Sequence, residues 1–393
     1  MKEIFDFAII GAGASGLFAL QGLKDKKVII LEGNKKIGMK LLATGGGKCN
    51  FTNKFLSPEN FISHNPHFVK SFLAKFPTTA LLDIINRHEI PFEERDNGKL
   101  FTLSGAQSLL DALLQDGKSS SHTFKTETLV RNVTKEHQED GENLFCIETS
   151  KEKIFAQKVI VASGGLSYPQ LGATNIASKI AKNFGIKVFP LLPALAGIRY
   201  PKDCQFDFSS LSGIAITAKA TIDKKSFTDQ LLFTHRGFSG PLALNLSLFM
   251  QEEARITFDF IPQIDCATLL QKEKSSKKNV TSILANYIPK SLVRVLLQDK
   301  DYNLAQLKKA EAEIITKTFN HCNLTFSQLD GFDRAEVTKG GICVDELFPK
   351  TMESKKCPGL YFLGEALDVT GMLGGYNLHW AFASAKMFID GLK

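Results

Sequence analysis

The sequence lacks clustered cysteines, long apolar runs and a marked excess of charge. Its seven cysteines occur singly, with no CxxC pair and no Cys/His cluster at zinc spacing, so we expect neither disulfides nor a bound metal. No stretch approaches the roughly 18 consecutive apolar residues of a membrane helix. The apolar start of the chain is interrupted by glycines and does not match a signal peptide. We therefore expect a cytoplasmic protein without a membrane partner.

The excess of basic residues is small for the length of the chain. There are 48 basic and 41 acidic side chains among 393 residues, a net charge of +7. This balance leaves a nucleic-acid substrate open without requiring one. We interpret the lysines at 272, 274, 277 and 278 as a solvated turn between helices rather than as an anion site. A chain this long is expected to form two or three domains.

A glycine motif, G-x-G-x-x-G, is present near the start of the chain as Gly11, Gly13 and Gly16. It follows a predicted strand at 5–10 and opens a predicted helix at 14–23. In such motifs the first glycine permits a tight turn, the second lets backbone N–H groups approach a pyrophosphate, and the third allows close helix–strand packing. The phosphates then lie at a helix N-terminus, which favours negative charge. The motif predicts dinucleotide binding.

The next predicted strand, at 27–31, ends at Glu32, about 20 residues beyond the motif, where a ribose ligand is expected. An acidic side chain there binds two ribose hydroxyls and would repel a 2′-phosphate. FAD or NAD is therefore favoured over NADP as the bound dinucleotide.

A second dinucleotide signature near the C-terminus favours FAD. A short apolar strand, a glycine and two acids occur within 361–368, and the sequence GGYN at 374–377 precedes a helix predicted for 378–389. In flavoproteins of the glutathione-reductase type, the final strand delivers an Asp to the ribitol chain and the next helix points its N-terminus at the flavin. The positive helix end stabilises the anionic reduced flavin. An NAD dehydrogenase would not need this signature.

The remaining pattern predicts a nucleotide-binding domain that is interrupted by an insert. We expect a long loop at 33–58, helices at 71–87, 104–114 and 173–184, strands at 124–133, 144–148 and 153–162, a small β-barrel at 190–260, helices at 267–318 and a strand at 336–344. The predicted domains are an FAD-binding Rossmann domain of the α/β class (1–190 and 340–393), a β-barrel insert (191–265 and 319–339) and a helical subdomain (266–318).

Several long segments resemble one family of bacterial flavoproteins. They are 38–53 (GMKLLATGGGKCNFTN), 162–169 (ASGGLSYP), 233–241 (FTHRGFSGP), 337–341 (VTKGG) and 364–377 (GEALDVTGMLGGYN). Together they resemble the YhiN-like, or BaiN-like, proteins over essentially the whole chain. The resemblance implies a glutathione-reductase-like FAD domain with an insert made of a small β-barrel and a helical subdomain. Activities assigned within that family are reduction of conjugated C=C bonds in steroid acids, reduction of uridine in large-subunit rRNA, and amine oxidation.

The chain departs from the family pattern at a few positions. Met39 and Lys48 stand where the family usually has Arg, which weakens a bidentate phosphate contact. Thr174, Asn175 and Ile176 replace a usual Gly-Asp-Gly, and His379 replaces a usual Gln. These changes affect expected contacts with the substrate or the flavin edge more than FAD binding.

The motifs and the resemblance together predict the cofactor-binding residues. These are Gly11, Gly13, Ala14, Ser15, Gly16, Glu32, Gly33, Lys40, Thr44, Gly45, Gly46, Gly47, Lys48, Cys49, Asn50, Val130, Ala162, Ser163, Gly164, Gly364, Glu365, Asp368, Gly374, Gly375, Tyr376 and Asn377.

Three side chains are candidates for a catalytic role. Cys49 lies beside Lys48, which can lower the thiol pKa or position the thiol as a proton donor, and simple packing near the flavin is the equal alternative. His235 lies in a predicted turn and is either catalytic or a structural histidine. Tyr168 can donate a proton or stack, and packing is preferred.

Three functions remain open at this point. The first is a reductase that takes hydride transiently from NADH or NADPH and passes it to an electron-poor C=C bond, in an rRNA uridine or in a small enone. No second G-x-G-x-x-G provides a nicotinamide domain, so this reading implies ping-pong kinetics. The others are an amine oxidase that uses O2 and a non-catalytic, FAD-dependent RNA-binding or assembly factor. The oligomeric state is not predicted.

Overall fold

The computed structural model describes residues 3–137 and 143–392. The chain forms two compact units, the first made of the residues up to Pro193 and from Glu336 onward, and the second of Ala194–Ala335. The finer bounds predicted for an FAD domain, a barrel insert and a helical subdomain stay predictions.

Strands and helices are found along both units. The strands are β1 (Ile4–Ile10), β2 (Val28–Leu31), β3 (Asn50–Asn53), β4 (Phe61–Ile62), β5 (Phe92–Arg95), β6 (Lys99–Thr102), β7 (His122–Lys125), β8 (Val130–His137), β9 (Asn143–Thr149), β10 (Lys153–Val161), β11 (Val188–Ala194), β12 (Ile198–Arg199), β13 (Ala215–Ile222), β14 (Lys225–Phe233), β15 (Gly237–Ser239), β16 (Ala254–Asp259), β17 (Cys322–Phe326), β18 (Val337–Ile342), β19 (Leu360–Phe362) and β20 (Thr370–Gly371). The helices are α1 (Ala14–Ala19), α2 (Met39–Ala43), α3 (Pro66–Lys75), α4 (Thr78–Arg87), α5 (Ala106–Gly117), α6 (Ile176–Asn183), α7 (Gly240–Ser247), α8 (Cys266–Lys272), α9 (Val280–Leu284), α10 (Lys290–Leu297), α11 (Lys309–Asn320) and α12 (Tyr376–Gly391).

The main sheet of the first unit has the strand order of a dinucleotide-binding fold. Parallel strands run in the order β7-β2-β1-β10-β19, and the antiparallel pair β9-β8 continues the sheet from the first half of β10. The apolar runs of β1 and β2 are buried because helices cover both faces of such a sheet. Helix α1 packs against α5 and α12. The predicted α/β Rossmann fold is confirmed.

Three predictions of local structure are wrong for identifiable reasons. The segment 33–58 contains α2 and β3, because β3 pairs with the distant β6. The helix predicted at 71–87 is divided at Pro77, where proline interrupts a helix. The strand predicted at 124–133 is divided into β7 and β8, with Glu127 in a left-handed conformation between them.

The second unit contains a nearly closed antiparallel barrel. Its strands run in the order β12-β15-β14-β13-β16-β17. The two edges meet through the segment after β17, since Arg199 N donates to Gln328 O at 3.0 Å and Asp330 N donates to Gly197 O at 2.8 Å. Aromatic rings fill the interior, among them Phe208, Phe233, Phe238, Phe258 and Phe260.

Helices α8 to α11 form the helical part of this unit. Helix α10 buries Leu292, Val293, Leu296 and Leu297, whose spacing is that of one helical face. Helix α11 packs on β16, β17 and α8. In the described part of the chain, no helix has the length and apolarity that crossing a bilayer requires.

Candidate functional site

The glycine turn between β1 and α1 combines two tight contacts with one open position. Gly11 has a φ of +102°, and a Cβ there would lie 2.6 Å from Ala162 O. A Cβ on Gly16 would lie 2.1 Å from Gly11 O, whereas a Cβ on Gly13 would meet no atom within 4 Å. The close packing of the turn therefore leaves no room for a side chain at Gly11 or Gly16, whereas Gly13 borders open space.

The Glu32 side chain, which follows β2, is hydrogen-bonded to this turn. Its Oε2 accepts a hydrogen bond from Ala12 N at 3.0 Å, and its Oε1 accepts from Asn34 N at 2.9 Å and Asn34 Nδ2 at 3.0 Å. Thr128 N donates to Glu32 O at 2.8 Å, which places Val130, at the start of β8, close to this loop. The carboxylate is thus fixed beside the turn, where its remaining lone pairs can accept from ribose hydroxyls.

The carboxyl ends of β10 and β19 meet the same turn. A Cβ on Gly364 would lie 2.5 Å from the Ser15 Oγ of α1, and one on Gly164 would lie 3.7 Å from Glu365 Oε2. The structure therefore brings together residues that the sequence places about 350 and about 200 positions apart. Ligands bind at this edge of open α/β sheets.

Two features of this edge fit a bound dinucleotide. The open space at Gly13 lies at the first turn of α1, where backbone N–H groups have no partners inside the helix. Ser163 Oγ is buried and has no hydrogen-bond partner among the described residues. A buried hydroxyl without a partner costs about 1–3 kcal/mol, which a ligand oxygen would recover. The residues present fit the pyrophosphate and ribose groups of FAD.

Lys40, Glu365 and Tyr168 form a polar cluster at this edge. Lys40 Nζ lies 2.7 Å from Glu365 Oε2, and Glu365 Oε1 accepts from Thr338 N at 2.9 Å. The ammonium also lies 5.9 Å from the centroid of the Tyr168 ring. Burial and the charge of Glu336 raise the pKa of Tyr168, so the phenol remains protonated. The cluster joins two predicted cofactor residues to a predicted catalytic one.

The glycine-rich loop that follows α2 has left-handed backbone at several residues. They include Gly45, Gly46 and Cys49, with φ values of 61°, 66° and 52°. The Cys49 side chain is fully buried, and burial raises the pKa of its thiol to about 12. Lys48 is exposed and does not lower this pKa. Of the two alternatives from the sequence, packing is favoured over a reactive thiolate.

Residues predicted at the flavin edge hold the start of α12 in place. Asn50 Oδ1 accepts from Gly375 N at 3.0 Å in the amide orientation that satisfies its neighbours. Asn377 Oδ1 accepts from Gly371 N at 2.8 Å, and its Nδ2 donates to Gly371 O at 2.8 Å. The Tyr376 ring is buried. Their contact with flavin stays a prediction.

Asp368, a predicted cofactor-binding residue, is bound by His64, which no sequence motif indicates. Its Oδ2 accepts from His64 N at 2.9 Å and lies 2.8 Å from His64 Nδ1. Burial raises the pKa of Asp368, and the hydrogen bonds from His64 oppose that rise. No sequence pattern indicates this pair, because its members are 304 residues apart.

His379 is a structural residue. Its Nδ1 lies 2.8 Å from Thr52 Oγ1 and its Nε2 lies 2.9 Å from Phe76 O. Burial lowers the pKa of His379 to about 4, so the ring stays neutral and ties α12 to β3 and to the end of α3. This departure from the family pattern therefore concerns packing.

The last catalytic candidate, His235, belongs to the second unit. It lies in the turn between β14 and β15, and its side chain is exposed. Within the described residues, no group of His, Cys, Asp and Glu side chains has the arrangement of a metal site.

Comparison with known proteins identifies a Rossmann family and two relatives of similar length. The family model described as HI0933-like protein Rossmann domain matches residues 5–388. The chain is 37% identical over 391 residues to the protein named ribosomal RNA dihydrouridine synthase in Escherichia coli strain K12, covering 98% of this chain and 96% of that relative. It is 29% identical to a protein of Clostridium scindens named 3-dehydro-bile acid delta(4,6)-reductase, covering 96% of this chain and 97% of the relative.

A solved structure supports the fold. The 3-ketosteroid-delta4-(5alpha)-dehydrogenase of Rhodococcus jostii RHA1, in complex with 4-androstene-3,17-dione, has a TM-score of 0.51 at 12% identity. The alignment covers 99% of this chain and 95% of that chain. At this identity the likeness shows a common fold only.

Proposed function

Because the chain belongs to the HI0933-like protein Rossmann family and is an FAD-dependent oxidoreductase, we propose that it reduces an electron-poor C=C bond with NADH or NADPH. The substrate we propose is uridine in ribosomal RNA. The observation that carries this choice is the 37% identity, over nearly the full length of both chains, to the E. coli protein named for that reaction.

The chemistry named for the two relatives has a common element. Reduction of uridine saturates the C5=C6 bond, which is conjugated with the C4 carbonyl. A 3-dehydro bile acid with Δ4 and Δ6 double bonds is likewise a conjugated ketone. For uridine and for the Δ4 bond, a hydride adds to the carbon β to a carbonyl and a proton adds to the carbon α to it; for the Δ6 bond, conjugation directs the hydride to the δ carbon. An FAD site that accepts hydride from a nicotinamide serves either substrate.

The residues of the first unit have separate roles in this proposal. The N–H groups at the start of α1, beside Gly13, and the hydroxyl of Ser163 would bind the pyrophosphate region. Glu32 would accept from the adenosine ribose, and Glu365 from the ribitol chain. Bound FAD supplies hydride transfer, and the protein orients the substrate and manages the proton. The nicotinamide visits transiently.

Complementation tests the RNA substrate. The chain is expressed in an E. coli strain that lacks its own ribosomal RNA dihydrouridine synthase, and nuclease digests of rRNA are analysed by mass spectrometry. We expect a dihydrouridine peak to return with the parent and to remain absent with Gly13→Val, which fills the space at the glycine turn. A flavin-containing protein that restores no dihydrouridine would contradict the RNA substrate.

A small enone is the second candidate, favoured by the full-length match to the bile-acid reductase. Anaerobic photometry separates the possibilities. NAD(P)H should bleach the flavin band, and either rRNA or an enone such as 2-cyclohexenone should restore it. Bleaching by an amine alone, without a nicotinamide, would instead support an oxidase.

A further inference from the structure

The side chain of His64 is held rigidly although most of it is exposed. Its side chain is 60% exposed, whereas that of its partner Asp368 is 4% exposed. Two hydrogen bonds reach the same carboxylate oxygen, from the His64 backbone N and from Nδ1. The imidazole also stacks on Phe189, with ring centroids 3.6 Å apart and planes 5° apart. These contacts fix the orientation of the imidazole ring.

The hydrogen bond to Asp368 determines which ring nitrogen is available. A carboxylate accepts but does not donate, so the neutral tautomer that fits this contact has Nδ1 of His64 donating to Asp368. Nε2 has no hydrogen-bond partner among the described residues and is the ring nitrogen left available to a ligand. His379 differs, because protein groups occupy both of its ring nitrogens. The arrangement of His64 is that of an oriented acid–base group.

His64 is attached to the segment that joins two elements of the proposed flavin site. Asp368 lies between Glu365, at the end of β19, and Gly375, at the start of α12. Strand β20 in this segment pairs with β4, which ends two residues before His64, through Thr370 and Ile62. The imidazole is thereby fixed to the backbone that would carry the flavin contacts.

We propose that His64 is the proton donor of the C=C reduction and that Asp368 is its positioning residue. This inference rests on the proposed function. In the balanced step, oxidation of NAD(P)H would provide the hydride, and bound FAD would supply it to the carbon β to the carbonyl. The imidazolium of His64 transfers its Nε2 proton to the carbon α to the carbonyl. Solvent then returns a proton to the neutral imidazole.

Other charged groups surround the pair. Lys339 lies on β18 and Asp345 lies in the turn that follows it, and both interact electrostatically with Asp368. Lys187 precedes β11, and its Nζ lies over the Phe189 ring at 4.7 Å. A pH profile of the activity therefore reflects all of these charged groups together. Only a limb of the profile that is lost in a His64 variant can be assigned to His64.

Stopped-flow measurements on the FAD-loaded protein test the proposal. In His64→Gln, flavin reduction by NAD(P)H should stay within about twofold of the parent. Reoxidation by rRNA from the complementation strain, or by 2-cyclohexenone, should slow by about 10²- to 10⁴-fold, the usual range for general acid catalysis. The limb of the pH profile that comes from this imidazole should disappear. His67→Gln, at an exposed histidine of α3, is the matched control and should change neither half-reaction.

A second readout does not depend on turnover. Nitrogen NMR of histidine-labelled protein should show the His64 ring protonated at Nδ1 in the parent, and Asp368→Asn should abolish this preference. Reoxidation of His64→Gln at the parent rate would overturn this inference alone. The same holds if slow reoxidation is found only in His235→Gln. Failure of the parent flavin to be reoxidised by either substrate would overturn the proposed function as well.

Discussion

Replacing Gly13 or Gly16 by alanine should have opposite consequences, although each adds one methyl group to the same turn. At Gly13 the φ is −90° and the added Cβ meets no protein atom within 4 Å. A compatible Gly→Ala change stabilises by about 0.4–1 kcal/mol through the unfolded state. Loss of the helix N-cap preference costs about 0.5–1 kcal/mol. Folding of Gly13→Ala should therefore change by less than about 1 kcal/mol.

Binding of FAD to Gly13→Ala should nevertheless be weak. The methyl group occupies the space that a pyrophosphate needs to reach the N–H groups of α1. Two hydrogen bonds to a charged group are worth about 3–6 kcal/mol together. Their loss corresponds to a fall of about 10²- to 10⁴-fold in affinity.

Gly16→Ala should instead impair folding. Its Cβ would lie 2.1 Å from Gly11 O, so the backbone must move, at a cost of about 1–3 kcal/mol or more. Denaturant unfolding of FAD-stripped protein measures the stability of each variant. Quenching of FAD fluorescence on titration measures its affinity for FAD. Parent-like FAD affinity in Gly13→Ala, or parent-like stability in Gly16→Ala, would refute this account of the turn.

Three further predictions follow from the hydrogen bonds and the burial of single residues. Glu32→Ala leaves Ala12 N without its acceptor and should destabilise the protein by about 1–3 kcal/mol and weaken FAD binding in calorimetric titration, with a smaller effect for Glu32→Gln. The Cys49 thiol, with its pKa raised to about 12, should react with iodoacetamide at pH 8 far more slowly than the half-buried Cys204, and Cys49→Ser should keep its flavin. His379 has its pKa lowered to about 4 from 6.5, so the folded state resists protonation and stability should fall by about 3 kcal/mol as the pH drops between these values. Denaturation curves of His379→Gln should lack this slope; an unchanged slope would show that another group causes it.

The parts of the site that depend on local sequence were predictable. The order strand, glycine turn, helix, strand and acid between residues 5 and 32 follows from spacing alone, because Gly16 packs on Gly11 and Glu32 accepts from Ala12 N within this one segment. The C-terminal helix was likewise expected at 378–389 and is found at Tyr376–Gly391. Patterns of this kind need no knowledge of the rest of the chain.

Contacts between distant segments were not predictable in this way. The sequence predicts a loop at 33–58, since nothing within this segment shows that β3 pairs with β6 across about 50 residues. The ion pair of Lys40 with Glu365 joins residues 325 positions apart. Both members of that pair are predicted to bind the cofactor. That prediction comes from the family resemblance and not from any periodicity of the sequence.

The candidate catalytic residues show most clearly that local sequence patterns do not reveal contacts between distant segments. Cys49, Tyr168 and His235 are each chemically competent and lie in motifs that resemble those of the flavoprotein family, but a motif does not show whether its residues are buried. Burial makes Cys49 a poor acid or base at neutral pH. His64 has no motif, because the groups that orient it, Asp368 and Phe189, are supplied by segments remote in sequence. An acid–base residue is defined by the partner that fixes one nitrogen and by the freedom of the other, and only the folded chain shows both.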